Sequence, residues 1–128
     1  MRVHGYFWTM KIALTGVPGW LGSRFVEILL DGYGDKRAPA LPKVDAVALL
    51  IQPGREAPVR VPKNTRIVLG DVRDASAVAD LVKGADVVFH LAAIIHPPWN
   101  DVKLLRDVNI GGTKKVIEAS VAAGVKRL

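Results

Sequence analysis

Three glycines at three-residue intervals, Gly16, Gly19 and Gly22, constrain this chain more than any other feature, because of what lies on either side of them. Before them, Lys11-Ile12-Ala13-Leu14-Thr15-Gly16 is a short apolar run suited to a buried parallel strand. After them, Leu21, Phe25, Ile28 and Leu29 repeat with the spacing of an amphipathic helix. A glycine-rich turn between a buried strand and a helix start predicts an anion cradle. Gly16 permits the tight turn, Gly19 lets backbone approach a pyrophosphate, and Gly22 allows helix and strand to pack closely. Free N–H groups and the helix dipole then favour phosphate. A dinucleotide site is therefore expected over Thr15, Gly16, Pro18, Gly19, Trp20, Leu21 and Gly22.

The rest of the chain repeats the strand-then-helix theme. Gly32 and Gly34 stop the first helix. A Pro-containing connection from Lys36 to Lys43 leads to a second buried strand, Val44 to Ile51. Pro53-Gly54 breaks that strand, and a polar loop runs to about Thr65. Arg66 to Leu69 reads as a third strand closed by Gly70-Asp71. Asp74 is a helix N-cap, with Ala75, Val78, Ala79 and Val82 expected on one face and Gly84 at the end. Asp86 to Leu91 is a fourth strand. A loop through Pro97-Pro98-Trp99 follows, and then one helix from about Asp101 to Ala123. Apolar strands alternating with helices imply a parallel sheet covered on both faces. Right-handed crossovers make it a Rossmann-type, doubly wound α/β sheet of strand order 3-2-1-4.

Composition narrows the function classes. The 128 residues make one domain, half of them hydrophobic and fewer than a quarter charged. With no cysteine there is neither a disulfide framework nor a thiolate zinc site, and no metal site is expected. The net charge of +6 raises the question of nucleic acid, but the cations are scattered and not interleaved with aromatics, so none is expected. No apolar run approaches the roughly 20 residues that span a bilayer, and residues 1–9 make a poor signal peptide. They read as an extension before a domain over 10–128, in a cytoplasmic protein.

The Thr-Gly-x-x-Gly-x-x-Gly spacing, one residue longer than the general G-x-G-x-x-G fingerprint, resembles the signature of extended short-chain dehydrogenases/reductases. These include sugar-nucleotide epimerases, dehydratases and dihydroflavonol-type reductases. The resemblance continues through Gly70-Asp71-Val72-Arg73-Asp74, through Val87-Val88-Phe89-His90-Leu91-Ala92-Ala93 and through Val108-Asn109-Ile110-Gly111-Gly112-Thr113. It closes with Glu118-Ala119-Ser120 and Ala123-Gly124-Val125-Lys126-Arg127. It implies NAD(P) as cofactor. It also implies that Asp71 meets the adenine amino group with Val72 beside the ring, and that Leu91, Ala92 and Ala93 lie along the ribose and nicotinamide. His90 is read as a strand-end histidine rather than an acid or base.

Asn109 is expected to share a helical face with Val102, Leu105, Gly112 and Val116 and to point toward the sheet. By resemblance it braces the active-site backbone, a supporting catalytic role. His96, Trp99 and Asn100 read as ordinary loop residues. At the end of strand two stands Gln52, with Arg55 the nearest cation and no carboxylate before Glu56, which leans toward NADP over NAD.

The family's chemistry uses a Ser or Thr and a Tyr-x-x-x-Lys pair, the lysine lowering the tyrosine pKa. Tyr6 and Tyr33 are the only tyrosines, and neither has a lysine four residues on. The domain is thus expected to be truncated before the catalytic segment: to bind cofactor, and not to catalyse alone. The reading is the NAD(P)-binding portion of an epimerase, dehydratase or reductase acting by hydride transfer on a nucleotide sugar or similar carbonyl or alcohol substrate. The alternative is a non-catalytic dinucleotide sensor or regulatory protein. Strand four, with Val87, Val88 and Phe89, is expected to be an uncovered sheet edge that drives self-association.

Overall fold

The computed structural model describes residues 9–35 and 43–128. The expected N-terminal extension and the Pro-containing connection therefore lie, apart from Thr9 and Lys43, outside the described residues. Four parallel strands, β1 (Met10–Thr15), β2 (Val44–Ile51), β3 (Thr65–Leu69) and β4 (Val87–His90), form one sheet in the order β3-β2-β1-β4. This is the Rossmann-type order read from the sequence. Successive side chains of a strand point to opposite faces, so the central strands feed two cores. Leu14, Val47, Leu49 and Ile51 meet Val26 of α1 (Trp20–Asp31) on one face. Ala13, Ala48, Leu50, Val68 and Val88 meet α2 (Ala75–Val82) and α4 (Thr113–Ala122) on the other.

Local signals set the helix ends. The Gly32 N–H donates to the Ile28 carbonyl at 2.8 Å and ends α1. The Asp74 carboxylate accepts from the Ser76 and Ala77 amides at 2.9 and 3.3 Å, as an N-cap should. With that cap in place, α2 buries Ala77, Val78, Leu81 and Val82, while Ala75 and Ala79, expected on the buried face, are exposed. Leu21 likewise departs from the α1 stripe and stands exposed at the helix start.

The expected single helix from Asp101 is instead three pieces: α3 (Val102–Arg106), a π-helical turn (Asp107–Gly112) and α4. The π turn shifts the helical phase. Val108, Gly112, Val116 and Ser120 are buried, Val102 is exposed, and the face proposed to join Val102, Leu105 and Asn109 does not exist as one stripe. The sheet edge also differs from expectation. Lys126 N–H donates to the Asp86 carbonyl and Val88 N–H to the Arg127 carbonyl, both at 2.9 Å, so residues 126–127 form a parallel bridge to the outer side of β4. Among the described residues, no helix is long and apolar enough to cross a membrane.

Candidate functional site

The carboxyl ends of β1 and β4 meet where the strand order reverses, the place where open α/β sheets form a crevice. Gly16, at the end of β1, has φ +87°, and a side chain there would stand 2.6 Å from the Leu91 carbonyl carbon. A Cβ at Gly22 would lie 2.3 Å from the Gly16 carbonyl oxygen. The chain therefore turns from β1 into α1 with no space for a side chain at these glycines, and the Gly19 amide closes the turn on the Gly16 carbonyl at 3.0 Å. Gly19 is also the N-cap of α1 and offers no side-chain acceptor. The first helical amides are thus left for a ligand or water.

Beside this turn opens a cleft of about 750 Å³. Twelve of the expected contact residues line it: Gly16, Pro18, Gly19, Trp20, Leu21, Gly22, Gln52, Arg55, Val72, Leu91, Ala92 and Ala93. Thr15, Asp71 and Asn109 stand behind the wall and hold it in place. His96, Trp99 and Asn100 are exposed and outside the lining. Arg73, Ile94, Ile95, Leu104 and Val108 also line the cleft, though the sequence reading gave none of them a contact role.

Asp71 is the anchor of one wall of the cleft. Its Oδ1 accepts from the Arg73 amide and Nε, both at 2.8 Å, and its Oδ2 accepts from Arg73 Nη2 at 3.0 Å and Gln52 Nε2 at 2.7 Å. The Arg73 guanidinium beside it holds the carboxyl well below the usual carboxylate range, against the opposing effect of burial. Gln52 thus spends its amide on Asp71 and ties the end of β2 to the end of β3. Arg55 lines the cleft and has no ion-pair partner among the described residues.

Two polar clamps hold the opposite wall. Asn109, in the π turn, accepts from the Ile94 amide and donates to the Ile94 carbonyl, both at 2.8 Å. Thr15 is completely buried, and its Oγ1 accepts from the Leu91 and Ala92 amides at 3.1 and 3.2 Å. The same oxygen lies 2.7 Å from His90 Nδ1, and His90 Nε2 lies 2.9 Å from Thr113 Oγ1. Burial holds the imidazole below its ordinary pKa. Thr113 was missed in the sequence, although it stands four residues after Asn109 and donates to the Asn109 carbonyl at 2.7 Å.

The cleft can bind an elongated anion, with backbone donors at one side and small apolar residues at the other. Among the described residues that line it there is no acid–base pair. Tyr33 lies on the other side of α1, in an apolar groove with Phe25, Leu29, Phe89 and Leu128. Among the described residues no group of three or more His, Asp or Glu could hold a metal ion.

The comparisons agree with this geometry. Residues 13–128 match the model of the 3-beta hydroxysteroid dehydrogenase/isomerase family. The chain is 46% identical over 120 residues to the L-arabinose 1-dehydrogenase (NAD(P)(+)) of Haloferax volcanii, covering 92% of this chain and 39% of that one. It is 34% identical over 116 residues to human 3 beta-hydroxysteroid dehydrogenase type 7, covering 90% and 30% respectively. A crystal structure of the dTDP-glucose 4,6-dehydratase DesIV from Streptomyces venezuelae, with NAD and TYD bound, superimposes with a TM-score of 0.72 at 32% identity. That match covers 92% of this chain and 38% of DesIV. The chain spans about a third of the length of the curated relatives it matches. With the glycine turn, the strand order and the family match all in place, the chain belongs to the 3-beta hydroxysteroid dehydrogenase/isomerase family of extended short-chain dehydrogenases/reductases.

Proposed function

We propose that the cleft binds NAD(P), as the cofactor-holding portion of an enzyme that oxidises, reduces, epimerises or dehydrates a nucleotide sugar or similar carbonyl or alcohol substrate. One observation carries the reading: no Cβ fits at Gly16, Gly19 or Gly22, and the turn they form sets helix-start amides against an open cleft. The diphosphate takes those amides. The Asp71 carboxylate and Val72 would hold the adenine, and Leu91, Ala92 and Ala93 would leave room for the ribose and nicotinamide. The bound cofactor supplies or accepts the hydride. This chain's residues bind and orient it and keep Asn109 and Ile94 locked together at the nicotinamide end. The described residues bring no proton-transfer pair to the cleft, so they bind and do not turn over substrate.

NADP is favoured over NAD. The end of β2 carries Gln52, occupied by Asp71, in place of a carboxylate that would accept from a ribose hydroxyl. Arg55, with no ion-pair partner among the described residues, stands beside it and is suited to a 2′-phosphate. A titration of NADP(H) and NAD(H) into the chain tests both statements. Binding abolished by Gly19→Asp is expected, and Arg55→Ala should weaken NADP by about tenfold, the worth of one charge-assisted contact of about 1.4 kcal/mol, while sparing NAD. Equal loss for both cofactors would overturn the NADP preference. No binding by a folded chain would overturn the site.

A further inference from the structure

The mutual positions of Thr15, His90, Thr113 and Asn109 determine where every proton in their network lies. A threonine hydroxyl has two acceptor sites and one proton. Both acceptor sites of Thr15 Oγ1 are taken, by the Leu91 and Ala92 amides, so its proton has one partner left, His90 Nδ1. That nitrogen must therefore be bare. The proton of a neutral ring then sits on Nε2 and goes to Thr113 Oγ1, whose own proton goes to the Asn109 carbonyl. The chain of bonds runs in one direction, from the end of β1 through β4 to the π turn, and every donor finds an acceptor.

We propose that His90 is a positioning residue, which as the neutral Nε2–H imidazole keeps Thr15 turned to hold the Leu91 and Ala92 amides and so couples the shape of the cofactor cleft to pH. A proton added at Nδ1 would face an oxygen with no free lone pair, and Thr15 would have to release one of the two amides it holds. Those amides belong to the wall that also carries Ala93 and Ile94. The groups that meet the ring are Thr15 from β1, Thr113 from α4 and, through Thr113, the Asn109 carbonyl of the π turn; none is charged. Burial, which disfavours the imidazolium, acts in the same sense. The affinity half of this inference rests on the dinucleotide reading above, and the tautomer half does not.

Long-range nitrogen–proton spectra of the ¹⁵N-labelled chain between pH 8 and 5 test the tautomer, with the His90 signals identified by their loss in His90→Asn. The expected result is a single Nε2–H tautomer, with Leu91 and Ala92 amides protected from exchange until the ring protonates and then losing protection with it. An Nδ1–H tautomer, or protonation that leaves both amides protected, would overturn the proposal.

NADPH and NADH titrations over the same range test the coupling. For the wild type the dissociation constant should rise by up to tenfold per pH unit below the pH at which the ring protonates. In His90→Asn, which keeps an acceptor where Nδ1 stood and takes up no proton, that slope should vanish whatever the affinity at pH 8. An unchanged slope in His90→Asn overturns the coupling. Thr113→Val, a near-isosteric change, should keep the Nε2–H tautomer, because Thr15 alone leaves Nδ1 bare, and a switch to Nδ1–H in it counts against Thr15 as the group that sets the ring. Absence of NADPH and NADH binding at every pH, with the tautomer and amides behaving as expected, would instead overturn the dinucleotide reading and leave the positioning role standing.

Discussion

At Gly22 the distance from an added Cβ to the Gly16 carbonyl oxygen is 2.3 Å, and the obstacle is backbone, which cannot swing away as a long side chain can. Gly22→Val should therefore cost roughly 1–3 kcal/mol of stability, the usual range for overpacking. It should also remove dinucleotide binding, because relief requires α1 to move off β1. Thermal melting and a NADPH titration would show both, and a variant that melts like wild type would mean that the turn is looser than it is drawn. Asp71 makes a different prediction. Its carboxyl is held low by Arg73, so the unfolded chain binds its proton first as the solution is acidified. The stability from this group is present above the unfolded value of about 3.9 and is lost as pH falls through the lower folded value. Asp71→Asn should lower unfolding free energy at pH 7, by up to about 1 kcal/mol given its partial exposure, and should flatten the acid limb. Urea melts at pH 7 and pH 3 giving equal losses would sink that assignment.

Among the elements, the π turn carries the clearest consequence. It delivers the Asn109 amide to both backbone polar groups of Ile94, in the loop that follows β4. Asn109→Ala leaves a part-buried N–H and C=O unpaired, at a cost of about 1–3 kcal/mol. Urea denaturation should show this, and faster amide exchange at Ile94 should localise it; unchanged exchange there would mean that another group takes over the clamp. Sequence reasoning found Asn109 but misread its helix. Strands β1, β2 and β4 and the α2 cap were legible because burial on both faces, or a carboxylate before a helix, leaves a local pattern. A π turn leaves none: it is one extra residue in a helical repeat, selected by what Asn109 and Gly112 meet in three dimensions. The same holds for Asp71 and Arg73. Their adjacency is visible in the sequence, but the saturation of both carboxylate oxygens depends on side-chain directions that spacing does not encode.

For the molecule as a whole, the sheet is better covered on one face than on the other. The connection from β2 to β3 contains no helix among its residues, and Ile67 and Leu69 of the edge strand are left 39% and 69% exposed on the α1 side. At the other edge, Phe89 stacks against Phe25 with ring centroids 4.5 Å apart, yet an apolar groove of about 500 Å³ stays open between α1 and β4. Lys126 and Arg127 pair with β4, and the Lys126 ammonium meets Asp86 Oδ1 at 2.8 Å, so the backbone edge is partly closed while the groove beside it is not. Open apolar surface of this kind, next to an incompletely paired strand, favours a second copy of the chain as cover. The net charge of +6 opposes association at low ionic strength, and salt screens that repulsion. Sedimentation velocity of the 128-residue chain should therefore show concentration-dependent association that strengthens with added salt. Leu128→Lys, which places a cation at the rim of the groove, should weaken it more than Leu69→Lys at the far edge. If Leu69→Lys is the more effective variant, β3 is the interface; a monodisperse monomer at every concentration and salt would mean that neither edge is adhesive.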